Sequence, residues 1–174
     1  MKAEGITRKG KRMTRDRYYE DYMVGEKIRS TGRQMTDADT RLLMGVISGS
    51  HPLHVDPEYC AGRPDVGRPI LQGSLILGVV DAFFDQNVCP GEAVLSLPAG
   101  YEKIRFIQPI YVGDVLHGEF EVMGKETVET PGLPGEKAGK RYGKLTCGVT
   151  VYNQEGTAVV YALEHWLVER KKEG

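Results

Sequence analysis

The stretch Pro69–Asp85, PILQGSLILGVVDAFFD, is apolar on nearly every side when wound into a helix. Leu71, Leu75, Ile76, Leu77, Val79, Val80, Phe83 and Phe84 leave no broad polar face, and a helix apolar all round is one that other elements enclose. At about 16 residues it falls short of the roughly 20 that a bilayer span needs. The pattern therefore predicts a helix buried inside a protein. Between Gln72 and Asp85 at its ends, two polar side chains interrupt it: Ser74, a first-turn hydroxyl, and Asp81, a carboxylate that is costly in so apolar a helix unless it is paired.

What could enclose this helix lies mostly downstream. Leu95–Pro109 and Gly113–Val128 read as strands, separated by Pro109 and a Gly113-Asp114 turn. In the second, Leu116, Gly118, Phe120 and Val122 alternate with polar neighbours. Leu145, Cys147, Val149 and Val151 alternate in the same way, and Asn153-Gln154-Glu155-Gly156 turns the chain into a last strand, Thr157–Val168. Residues 130–139, TPGLPGEKAG, have the composition of a long loop. Upstream, Glu26–Met35 reads as one strand. Thr36 then offers a helix cap, with Asp37 and Asp39 in the first turn and Leu42, Leu43, Val46 and Ile47 at helical spacing over 37–48. Residues 51–56, HPLHVD, read as irregular because Pro52 disfavours helix in the residue before it, and Pro57–Ala61 as a single helical turn. The order predicts an α+β domain in which an antiparallel sheet wraps one long helix.

With 40% hydrophobic and 27% charged residues in 174, the chain has the composition of one folded domain rather than of a disordered chain. A net charge of -1 gives no global drive toward nucleic acid or anionic membrane. Residues 1–17 carry seven basic groups against two acids and no apolar run, so they read as a solvated, disordered tail rather than a secretory signal. The domain is expected over 18–170, with a short tail at 171–174. Three cysteines, Cys60, Cys89 and Cys147, with no CxxC spacing, fit reduced thiols and a cytoplasmic location. There is no GxGxxG, Walker loop or HExxH, and His51, His54 and Asp56 fall short of a zinc set, so no cofactor and no metal is expected.

Four segments carry a resemblance. Residues 48–56 (SGSHPLHVD) and 67–74 (GRPILQGS) resemble the signature of the MaoC-like acyl-CoA hydratases and dehydratases; 105–116 (RFIQPIYVGDVL) and 19–28 (YEDYMVGEKI) are similar to that family's strand pair and N-terminal start. The resemblance spans about 18–170. It implies a hotdog fold, usually paired into a dimer, and the reversible syn addition of water to a 2-enoyl thioester to give a 3-hydroxyacyl thioester, with the CoA or carrier group arriving as part of the substrate.

That reaction needs a base that titrates near neutrality and donors for the enolate oxygen. His54 stands where the family has its catalytic histidine. Gly73 matches the family's glycine at the start of the buried helix, whose amide serves as oxyanion donor; its absent side chain also suits close packing there. The residue before it, often histidine in the family, is Gln72. The family's catalytic aspartate has no match: its position falls on Gly49, or on Ser50 if one residue is deleted. Ser50 could hold a water but not accept its proton at neutral pH. His51 falls on the family's asparagine, as a second base or as a structural substitute. Asp81, eight residues after Gly73, is either a replacement carboxylate for the site or an interface or capping group. Two other functions fit the same residues: a hotdog thioesterase using Asp81 to activate water, and a catalytically silent acyl-binding subunit.

Overall fold

The computed structural model describes residues 16–48, 51–128 and 141–171. The tail at 1–15, Ser50 and the 130–139 loop lie outside the described residues. Among the described residues six strands form the sheet: β1 (Lys27–Arg29), β2 (Arg33–Gln34), β3 (Ser96–Phe106), β4 (Val115–Thr127), β5 (Tyr142–Tyr152) and β6 (Ala158–Glu169). The order across it is β1-β4-β5-β6-β3, every pairing is antiparallel, and β2 pairs with β4 further along. The strand expected over Glu26–Met35 is thus two short ones. They part at Ser30, whose hydroxyl accepts the Gly118 N–H at 2.8 Å where the ladder would have offered a backbone carbonyl.

The helices are α1 (Asp37–Ile47), α2 (Pro52–Val55), α3 (Pro57–Ala61) and α4 (Gly73–Phe83). In α1, Thr36 and Asp39 cap each other: the Thr36 side chain accepts from the Asp39 N–H, and the Asp39 carboxylate accepts from the Thr36 N–H. The segment expected to be irregular contains α2. Pro52 does exclude helix from His51, but it stands at the first helical position, where a missing N–H costs nothing.

α4 lies against the inner face of the sheet. It begins at Gly73 rather than Pro69, because Leu71 N–H donates to the Ile110 carbonyl at 2.8 Å and Ile70 forms a β-bridge with Tyr111, which keeps that stretch extended. Ile76, Val79, Val80 and Phe83 are 1–2% exposed. A π-helical turn, Phe84–Val88, continues the helix, and Phe84 stacks on Trp166 of β6 with ring centres 3.9 Å apart. The helix is not enclosed on all sides, however. Ser74 and Gly78 are exposed, and Leu77, Asp81 and Ala82 are half-buried, so one side of α4 stays open in a single chain. Arg17, placed in the tail by its charge, belongs to the fold: it pairs with Glu26 at 2.8 Å and lies over the Tyr22 ring. Lys171, expected in the C-terminal tail, is tied down by Glu20 and Asp21.

Candidate active site

Three separate segments are stitched together beside the start of α4. Ile70 N–H donates to the Leu53 carbonyl at 3.1 Å, which holds α2 against the extended Ile70–Gln72 stretch. That stretch is in turn bonded to the loop after β3 through Leu71 and Ile110. Between them lies a cavity of about 390 Å³ whose lining includes His54, Leu71, Gly73, Ile76, Phe106 and Ile110. Among the described residues, His54 is the only titratable side chain in that lining. The sequence-predicted pair, His54 and Gly73, therefore shares one apolar chamber.

The geometry around His54 fixes its tautomer. Its Nδ1 stands 2.8 Å from the Ile70 carbonyl oxygen, which can only accept, so Nδ1 carries the proton. The neutral ring then presents its Nε2 lone pair as a base, with the ring orientation held by backbone rather than by a carboxylate. Gly73 opens α4, and the first amides of a helix have no carbonyl one turn back to bond to. Gly73 also permits a close approach: a Cβ there would lie 2.6 Å from Phe106 Cζ, so the aromatic ring sits against the helix start. Phe106 was not foreseen as a site residue. It lies 33 residues beyond Gly73, and only the fold brings the two together.

The other candidates separate. His51 caps α2, its Nδ1 accepting the Leu53 N–H at 3.1 Å, while its ring stands edge-on to His54 at 6.4 Å and to Tyr59 at 5.9 Å. This is the capping role an asparagine would fill. Asp81 is not among the residues lining the His54 cavity. Eight residues of helical rise carry it about 12 Å along the axis from Gly73. There its carboxylate accepts the Tyr101 hydroxyl of β3. Burial, then the nearby Asp85, pushes its pKa up to about 6. Ser50 lies outside the described residues, and no carboxylate among the described residues lines the cavity.

No group of three or more His, Cys, Asp or Glu side chains among the described residues could hold a metal ion, and none of their helices is long and apolar enough to cross a membrane.

The chain matches the MaoC like domain over residues 21–137. Nodulation protein N of Rhizobium meliloti (strain 1021) is 30% identical over 69 residues, which are 39% of this chain and 43% of that protein; the match thus spans less than half of that relative. Among solved structures, the monoamine oxidase regulatory protein of Archaeoglobus fulgidus superimposes with a TM-score of 0.75 at 28% identity, covering 90% of this chain and 97% of that one. An unliganded R-hydratase from Pseudomonas aeruginosa gives 0.66 at 25% identity, covering 88% and 86%. Because the family match runs from before β1 to beyond β4, it takes in every segment that builds the cavity, and the chain belongs to the MaoC-like dehydratase family, with its hotdog fold.

Proposed function

We propose that the protein is an acyl-thioester hydratase/dehydratase that interconverts a 2-enoyl and a 3-hydroxyacyl thioester, with His54 as its single acid-base group. The observation that carries the reading is that His54, its Nδ1 committed to the Ile70 carbonyl and its Nε2 left as the basic nitrogen, shares an apolar cavity with the first amide of α4. Nε2 takes a proton from water as the oxygen bonds to the β carbon. The electron pair of the double bond moves through the thioester to its carbonyl oxygen, where the Gly73 N–H stabilises the enolate. The enolate then collapses and its α carbon takes the proton back from the imidazolium, so one residue on one face performs a syn addition. No redox cofactor or metal enters the balance. The lining by Leu71, Ile76, Phe106 and Ile110 suits an acyl chain.

The test is hydration followed at the enoyl absorbance across short, branched and dicarboxylic enoyl-CoAs, with free thiol measured in parallel. Loss of enoyl absorbance without thiol release is expected. Thiol release from saturated acyl-CoA would instead favour a thioesterase centred on Asp81. A second reading has its own support: His54 has no carboxylate beside it among the described residues, and a silent acyl-binding subunit that requires an active partner would tolerate that loss. Such a subunit would be inert alone and needed only in a complex.

The open side of α4 and the free edge of β3 support a homodimer. Light scattering at micromolar concentration should give twice the chain mass of 19.3 kDa; a monomer would contradict it. The cytoplasm remains the proposed location.

A further inference from the structure

Six of the nine arginines among the described residues sit in ion pairs with carboxylates. The exceptions are Arg63, Arg68 and Arg105. Arg105 donates to the carbonyl of Ile104, and strand alternation turns it away from Phe106 and the cavity. Arg63 and Arg68 are different. Both lie on the short loop that runs from α3 into the cavity wall, and each lies over a tyrosine ring: the Arg63 guanidinium carbon is 4.4 Å from the centre of the Tyr59 ring, and that of Arg68 is 4.0 Å from the centre of Tyr111.

The loop is built rather than slack. Val66 and Gly67 N–H groups both donate to the Arg63 carbonyl, at 3.0 and 2.9 Å, with Gly67 in the left-handed region at φ 70°. The Tyr111 hydroxyl reaches the Val66 carbonyl at 3.4 Å. Arg68 stands two residues before Ile70, and Tyr111 directly follows Ile110; both isoleucines line the cavity. On the other flank Tyr59 touches His51, next to His54. A guanidinium held over an aromatic face can still turn N–H donors outward, and its planar fork matches phosphate oxygens. Asp65 lies on the same loop and makes no ion pair with either arginine.

We propose that Arg63 and Arg68 form a phosphate-binding rim for the nucleotide end of a coenzyme A thioester whose acyl end occupies the His54 cavity. This rests on the acyl-thioester reading above. Phosphopantetheine on a carrier protein brings one phosphodiester. Coenzyme A brings a diphosphate and a 3′-phosphate, two separate loci for two separate guanidiniums.

The experiment compares the same enoyl group on coenzyme A, on N-acetylcysteamine, which has no phosphate, and on an acyl-carrier protein, using the full chain and the variants Arg63→Gln and Arg68→Gln. The ratio of kcat/KM for the CoA thioester over the N-acetylcysteamine thioester is expected to fall about tenfold or more in each variant, through KM, as loss of a charge-assisted contact predicts. An unchanged ratio, or a parent protein that uses the carrier-protein thioester better than the CoA thioester, overturns the proposal. A parent that turns over none of the three overturns the hydratase reading instead, and calorimetry with desulfo-CoA then decides the rim. Weaker binding in both variants supports it, and equal binding in all three proteins overturns it.

Discussion

Replacing His54 with alanine is expected to lower the hydration rate by about 10²–10⁴, the usual size of a general acid-base contribution, while leaving the fold intact. The effect should fall on kcat more than on KM, because the ring moves protons and contributes little of the apolar lining. Alanine also removes the hydrogen bond to the Ile70 carbonyl that helps hold α2. His54→Asn separates the two roles: its side-chain amide can still donate to that carbonyl but has no basic nitrogen. Both variants should be equally inactive, and asparagine should be the more stable on thermal unfolding followed by circular dichroism. Near-parental turnover in either, on the best substrate, would remove His54 from the mechanism. With no carboxylate beside it among the described residues, His54 must serve as both base and acid, so losing it leaves only the electrostatic help of the helix start.

The elements most legible in the sequence were those fixed by local chemistry. The Thr36 cap and its Asp39 partner needed only neighbouring residues, and the alternation in β4 and β5 followed from side chains that take turns facing α4. The enclosure of α4 was less legible. Apolarity on every side marks residues that avoid water, but not which of them a single chain covers, and Leu77 and Ala82 stay half-buried. Within the site, His54 and Gly73 were reached through resemblance. What the sequence lacked was the set of backbone bonds through Ile70 and Leu71 that joins their segments. His51 reads in the sequence equally as base or scaffold, because its hydrogen bond from the Leu53 N–H depends on the turn that Pro52 starts. Asp81 was legible as costly, but its partner, Tyr101, stands on a strand 20 residues away.

Strand parity places Glu164 on the buried face of β6. On β6 the side chains of Val160, Ala162, Glu164, Trp166 and Val168 all face inward and are 0–2% exposed, so a carboxyl sits in the middle of the apolar row. One of its oxygens accepts the Trp166 indole N–H at 3.1 Å, and the other has no partner among the described residues. Burial pushes its pKa from an ordinary 4.5 up to about 8; the indole bond opposes this, and Asp81 and Asp85 add repulsion. The folded protein keeps that proton until about pH 8, whereas the unfolded chain releases it near 4.5. Stability from this group is therefore fully present below pH 4.5 and drains away as pH rises toward 8. Asp81, raised from 3.8 to about 6, acts in the same direction over the lower part of the range, while His117, whose pKa burial lowers, opposes it. The difference between parent and Glu164→Gln isolates Glu164, since glutamine can still accept from Trp166 but has no carboxyl proton to lose. Urea unfolding should find the two within about 1 kcal/mol at pH 5. At pH 8.5 the glutamine variant should be the more stable by about 3–5 kcal/mol, from the size of the pKa displacement. Parallel curves across pH 5 to 9 would mean that Glu164 stays ionised inside the fold, which would require a cationic partner that its surroundings, Trp166, Asp81 and Asp85, do not supply.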